Sequence, residues 1–267
     1  MAAVQNALAK SFKALHIPGS PLILANIYDA VSARAVASLP GAQALATASY
    51  SIAEAAGLKD ATLTRAVNVT AVRNIASATK EFGKPLSVDF QDGYGDELEE
   101  GITELLQIGV VGVNLEDYNG SAKKLYSISE AADRMQRTLH TAATFGLPDF
   151  VVNARIDTLV HGGNLAEVIE RGHAYLAAGA TTVFVWDVSR GVSREEVARL
   201  VKDFDGRLNV LLNLSGGLTT RELAKLGVAR ISVGPVLQIG AMAKLQKDAE
   251  AILAIWTQLP PQPGQMG

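Results

Sequence analysis

Short apolar runs alternate with longer stretches of helical period along the whole chain, and this alternation admits very few folds. The runs are 22–25, 44–47, 86–89, 112–115, 150–153, 182–186, 208–212 and 230–233, eight in all. Most are nearly continuous, as expected of parallel strands that are covered by helices and face a filled interior. Helical periodicity covers 64–82, 129–145, 165–178, 193–204 and 219–226, mostly with Ser or Thr at the start and Gly just past the end. Eight such units in 267 residues predict a single-domain (β/α)₈ (TIM) barrel over 1–258, with the Pro-rich 259–267 as a disordered tail. The rival doubly wound sheet would carry a Gly-rich phosphate loop after its first strand, and Ala25-Asn26-Ile27-Tyr28-Asp29 is not one. An amphipathic helix is expected before the first strand. The stretch 239–258 is apolar on more than one side and needs a second surface: the barrel's own first helix, or another subunit with which it is exchanged.

Composition narrows the chemistry. The absence of cysteine excludes disulfides, thiolate catalysis and Cys-ligated zinc. Four histidines without a paired spacing argue against a His-based metal site, so any metal is a hard cation on oxygen ligands, Mg²⁺ or Mn²⁺. A formal net charge of -3 and scattered Lys and Arg give no electrostatic reason to expect nucleic acid or an anionic membrane. No apolar run spans a bilayer, and a cytoplasmic location is expected.

Catalytic residues of such barrels come from the C-terminal ends of several strands. Here those ends are polar: Tyr28-Asp29, Thr47-Ala48-Ser49, Asp89-Phe90-Gln91-Asp92, Glu116-Asp117, Arg155-Ile156-Asp157, Asp187 and Asn213-Leu214-Ser215. Asp89 and Gln91 lie two apart, so on a strand both would point to one face, with Glu116 of the next strand able to reach the same point. Two carboxylates and an amide oxygen, completed by water, suit octahedral Mg²⁺. Helix capping by Asp89, Asp92 and Asp117 is the structural alternative. Arg155 is the basic group placed to clamp a carboxylate or phosphoryl group, unless it forms an ion pair with Glu116 or Asp157. Thr47, Ala48 and Ser49 offer small side chains and loop N–H groups that suit an anion. Tyr28 and Asn213 complete the candidate substrate-binding set.

The chain resembles the phosphoenolpyruvate mutase/isocitrate lyase superfamily over nearly its full length. The resemblance rests on Asn26-Ile27-Tyr28-Asp29-Ala30, Ala46-Thr47-Ala48-Ser49-Tyr50, Gly57-Leu58-Lys59-Asp60, Val88 to Gly95, Gly112 to Asp117, Asn153 to Asp157 and Ser232-Val233-Gly234-Pro235. It implies Mg²⁺-dependent making or breaking of C–C or P–C bonds beside a 2-oxo acid, through a pyruvate-enolate-like species. By the same resemblance Asp89 is the direct metal ligand, and Glu116, Gln91 and Asp60 hold the ion's waters. Arg155 is the substrate clamp, and Thr47, Ala48 and Ser49 form the carboxylate-binding turn; Arg155 and Asp60 stand as the catalytic pair.

The departures narrow the reaction. Isocitrate and methylisocitrate lyases carry a cysteine in the loop after strand four, where this chain has Tyr118 to Lys124. The mutase pattern of that loop does not match cleanly, and Gln91 replaces a usual acid. The leading expectation is a lyase, hydrolase or decarboxylase acting on a small 2-oxo or 2-hydroxy dicarboxylate. P–C chemistry on phosphonopyruvate or phosphoenolpyruvate is the second, and a non-catalytic barrel the third. Tyr28, Tyr50, Lys123 and Asp187 are candidates for proton transfer, and 118–129 for a gating loop. A dimer or tetramer is expected.

Overall fold

The computed structural model describes residues 2–187, 191–214 and 216–257; Ser215 and the predicted tail lie outside these. The barrel strands are β1 (Leu22–Leu24), β2 (Asn26–Ile27), β3 (Leu45–Thr47), β4 (Leu86–Asp89), β5 (Gly112–Glu116), β8 (Val151–Ile156), β9 (Thr182–Val185), β10 (Leu208–Leu211) and β11 (Arg230–Ser232). Between β5 and β8 stands a small antiparallel hairpin, β6 (Tyr118–Asn119) and β7 (Lys124–Leu125). The main sheet is parallel throughout, in the order β1-β11-β10-β9-β8-β5-β4-β3-β2. β1 and β2 are two stretches of one strand divided at Ala25: the first half pairs with β11, the second with β3. The ring therefore closes through a single strand, and the nine segments make the eight positions of the expected α/β barrel.

The helices are α1 (Ala2–Ala14), α2 (Ala30–Ala37), α3 (Ser49–Ala55), α4 (Arg65–Thr79), α5 (Leu98–Ile108), α6 (Ile128–Phe145), α7 (Leu165–Ala177), α8 (Arg194–Asp203), α9 (Thr220–Leu226) and α10 (Val236–Thr257). Thr64, Ser127, Asn164, Ser193 and Thr219 cap their helices by accepting N–H bonds. Helix α1 closes the barrel's floor, where Phe12 is fully buried against Gly112. A Cβ on Gly112 would meet the Phe12 ring at 2.9 Å, so only glycine admits that plug.

Register shows what faces inward. Asp89 pairs with Asn114, Glu116 with Arg155, and Arg155 with Phe184, and paired residues of parallel strands share a face. The outward set, Val88, Val113, Leu115, Val152, Ala154, Ile156, Val183 and Val185, is buried under the helices. Helix α10 behaves differently: Gln238 donates to the Ser51 carbonyl, but Ile239, Met242, Leu245, Ile252 and Leu253 are all exposed. It is thus not laid against the barrel's own first helix. Val31, Leu39 and Ile23 of the first βα unit are exposed as well.

Candidate active site

At the C-terminal mouth of the barrel lies a cavity of about 560 Å³. Asp89 enters it from the end of β4, its backbone fixed on both sides: its N–H donates to Thr47 Oγ1, and its carbonyl accepts from Asn68 Nδ2. Its Oδ2 accepts from Ser49 N at 2.9 Å and Ser49 Oγ at 2.8 Å. The small turn expected to cradle an anion therefore spends its Ser49 donors on Asp89.

Asp60 reaches the same cavity from a 3-10 turn after α3. Gln91 Nε2 donates to its Oδ1 and to its carbonyl, both at 3.0 Å. Burial raises the Asp60 carboxyl above the usual range, and the neighbouring Asp89 charge adds to that. Gln91 is not on a strand: β4 ends at Asp89, and Gln91 has φ 48°, with its carbonyl accepting from Glu116 N. The two-residue strand argument fails there. The side chain joins the cluster through Asp60 instead.

Arg155 faces the pair from β8. Its Nε and Nη2 donate to Asp157 Oδ1 and Oδ2 at 2.6 and 2.8 Å, and Nη1 lies 2.8 Å from Glu116 Oε2. Trp186 lies under the guanidinium, 4.4 Å from Cζ to the ring centroid. Burial opposes the Arg155 charge, but Asp157 and Glu116 more than compensate and hold its pKa above the ordinary value. Glu116 is pushed well up, mainly by burial, against the lowering effect of the Arg155 charge, with the Asp157 charge adding to the rise. The ion-pair alternative for Arg155 is thus present, and the residue lines the cavity as well.

Of the other expected residues, Ala48, Ser49 and Asn213 line the cavity. Thr47 turns its hydroxyl to the Asp89 backbone, and Tyr28 packs on the small cluster of Ile52, Ala53 and Leu63; neither lines it. Glu116 is paired with Arg155 and does not itself line the cavity. Among the described residues no helix is capped by Asp89, Asp92 or Asp117. Asp92 accepts from Tyr94 N and Tyr126 OH, and the fully buried Asp117 accepts from Asp157 N, Tyr175 OH and Arg171. Among the described residues no three acidic or histidine side chains converge closely enough to enclose a metal by themselves.

The description "Phosphoenolpyruvate phosphomutase" belongs to the family model that matches residues 12–253. The chain belongs to that family. Its members include lyases and mutases of the phosphoenolpyruvate mutase/isocitrate lyase superfamily, enzymes that work on C–C or P–C bonds of small carboxylates. An uncharacterised protein of Mycobacterium tuberculosis is 34% identical over 229 residues, 85% of this chain and 82% of its own. The 2-methylisocitrate lyase of Shewanella oneidensis is 34% identical over 191 residues, 67% of this chain and 60% of its own. A solved structure from Burkholderia cenocepacia J2315, described provisionally as a phosphonomutase, superposes with a TM-score of 0.83 at 34% identity, covering 92% of this chain and 99% of that one. No helix of the described phosphomutase-family chain is long and apolar enough to cross a membrane.

Within this family frame, sequence reasoning passed over Asn114, Phe184, Trp186 and Leu211, which also line the cavity. Asn114 and Leu211 lie two residues before Glu116 and Asn213 and so share their faces, whereas Phe184 and Trp186 are placed by the pairing of Phe184 with Arg155, which only the structure shows.

Proposed function

We propose that the chain is a Mg²⁺-dependent enzyme that breaks a C–C bond in a small 2-oxo or 2-hydroxy dicarboxylate through an enolate-like species. The observation that carries this reading is the convergence of Asp89 and Asp60 with Arg155 at the barrel mouth. The donor set fits the ion. Asp60 and Asp89 repel one another, Asp89 Oδ1 and Gln91 Oε1 accept no protein hydrogen bond among the described residues, and Mg²⁺ characteristically takes one or two carboxylates and keeps several waters. In this reading Asp89 is the direct ligand, while Asp60, Gln91 and Glu116 hold the ion's waters. The ion supplies Lewis-acid stabilisation of enolate charge.

The chain's own residues do the rest. Arg155 orients a substrate carboxylate, with Ala48, Ser49 and Asn213 around it and Thr47 bracing Asp89. Tyr50 and Asp187 line the cavity and are the candidates for moving the proton, whereas Tyr28 and Lys123 do not line it. Cysteine-dependent lyase chemistry is excluded by composition. Among the described residues Arg155 is the sole Arg or Lys lining the cavity, which suits a carboxylate better than a phosphonate dianion. The hairpin of β6 and β7 is read as the gating element, and a dimer or tetramer as the assembly that covers α10.

The test is turnover. Purified protein with MgCl₂ is expected to release pyruvate or oxalate from a member of an oxaloacetate and alkylmalate panel. No release, together with a change in the phosphorus NMR spectrum of phosphonopyruvate, would transfer the assignment to P–C chemistry.

A further inference from the structure

The barrel order divides the mouth into two unlike halves. β3, β4, β5 and β8 stand consecutively and, with the turn at Asp60, contribute Ser49, Asp60, Asp89, Asn114 and Arg155. β9, β10, β11 and the strand formed by β1 and β2 complete the ring, and among the described residues they and their following segments contribute the apolar Phe184, Val192, Leu211, Leu212, Val236 and Ile239 beside the polar Asn26, Asp187, Asn213 and Ser232. The contrast is not a general property of this barrel's interior. Asn153, Asn209 and Arg230 make the layers below polar, so filling the barrel does not by itself require an apolar wall at the mouth.

The polar side chains on the second half are already committed. Asn26 donates to the Thr47 carbonyl and accepts from Val233 N and Gly234 N, while Ser232 Oγ accepts from Asn209 Nδ2. Asp187 and Asn213, which also line this side, are assigned above to proton transfer and to the substrate carboxylate. Among the described residues no Arg or Lys lines this side to hold a second charged group.

A cavity of about 560 Å³ is more than a four-carbon dicarboxylate fills, and it falls in the range of about 300–1,000 Å³ that accommodates larger organic ligands. A substrate whose carboxylate and oxygen functions are held on the β4–β8 side directs any branch across the barrel axis. The geometry points to a substrate with an apolar substituent of about three or four carbons, seated against Phe184, Leu211, Val236 and Ile239. This specificity rests on the C–C cleavage reading above and adds the substrate class to it.

The cleavage balances without a co-reactant. For a 2-methylmalate carrying an alkyl group at C3, the hydroxyl proton passes to a base and C2–O becomes the oxo group of pyruvate. The C2–C3 bond breaks, and the electron pair left on C3 takes a proton to give the lengthened carboxylate.

The experiment compares 2-methylmalates with hydrogen, methyl, ethyl, propyl and butyl at C3, in the full-length protein with MgCl₂, following pyruvate. The expected kcat/KM rises about fourfold per added methylene up to propyl or butyl. A flat or falling series overturns the proposal, as it would if another part of the chain or a second copy filled the wall. In parallel, dissociation constants of the non-cleavable 2-alkylsuccinates are measured by calorimetry. If no malate turns over, the cleavage reading fails, while a chain-length dependence in these constants still supports the wall and its absence overturns it. Leu211→Asn is expected to flatten both series. Ile239→Asn, at an exposed position, is expected to weaken the dependence and keeps the test alive should Leu211→Asn fail to fold.

Discussion

Arg155 and Trp186 share one acceptor: Asp157 Oδ1 takes the Arg155 Nε–H at 2.6 Å and the Trp186 indole N–H at 2.7 Å, while the guanidinium lies over the indole ring. Asp157 is placed in turn by its backbone N–H, which donates to the buried Asp117. The cation facing the Asp89–Asp60 pair is thus held from three sides before any ligand arrives. Trp186→Phe keeps a ring but removes a hydrogen bond to a charged acceptor, a loss of about 1.5–3 kcal/mol where it is fully expressed. We expect kcat/KM to fall about tenfold, and the fall to be larger in Asp157→Asn, which weakens the bidentate partner. Steady-state kinetics on the two variants checks the order; equal activity of Trp186→Phe and the parent would show that the indole does not position Arg155.

Gln91 is the donor that quiets the Asp60 carboxylate, and Gln91→Glu replaces it with a third negative charge. The two carboxylates then repel unless a cation lies between them, an effect of about 1–3 kcal/mol at an effective dielectric near 20. The variant is expected to melt several degrees below the parent in EDTA and to gain more from MgCl₂ than the parent does. Differential scanning fluorimetry across a Mg²⁺ titration reads both shifts. A variant with no added response to Mg²⁺ would remove Gln91 from the metal site.

The barrel floor carries an acid-sensitive contact. His16 Nδ1 donates to the Phe12 carbonyl at 2.9 Å, leaving Nε2 to face the buried Arg230. Burial first, and the Arg230 charge second, lower its pKa to about 3. Because the folded pKa lies below the unfolded value near 6.5, the stabilisation is complete above that value and is lost as pH falls towards 3. The loss approaches about 1.4 kcal/mol per pH unit once the unfolded chain is protonated. Between pH 7 and pH 5 the parent is expected to lose more melting temperature than His16→Gln. Parallel curves would mean that the ring does not stay neutral in the fold.

Helix α10 presents Met242, Leu245, Ile252 and Leu253 to solvent within one chain, and these exposed apolar side chains are the ground for expecting a second copy to cover them. Light scattering is expected to give a dimer or tetramer, reduced towards monomer in Leu245→Glu with Ile252→Glu. A monomeric parent would contradict the assembly.

Much of the barrel was legible because its strands are continuous apolar runs, and continuous runs are what a doubly covered parallel sheet requires. Helices that start on a Ser or Thr cap were equally legible. Two helices that lack a side-chain cap were not: α5 follows Glu97 and α3 follows Ala48, and no composition signal marks their starts. At the site, the acidic residues and Arg155 stood out because they follow directly on apolar runs, at the strand ends where a barrel carries its chemistry. The position of Gln91 was misread because the period of two was carried past Asp89, where the backbone turns left-handed. The wall of Phe184 and Leu211 was hidden because an apolar strand residue looks the same whether it faces a helix or a ligand.

The proposed chemistry turns on a Mg²⁺-dependent site for an enolate-like dianion, built on Asp89 and Arg155. Calorimetric titration of oxalate, which mimics the enolate, tests it with and without MgCl₂. We expect binding at least tenfold tighter with Mg²⁺, and loss of that difference in Asp89→Asn. Oxalate that binds equally well in EDTA, or a Mg²⁺ effect that survives in Asp89→Asn, would contradict it.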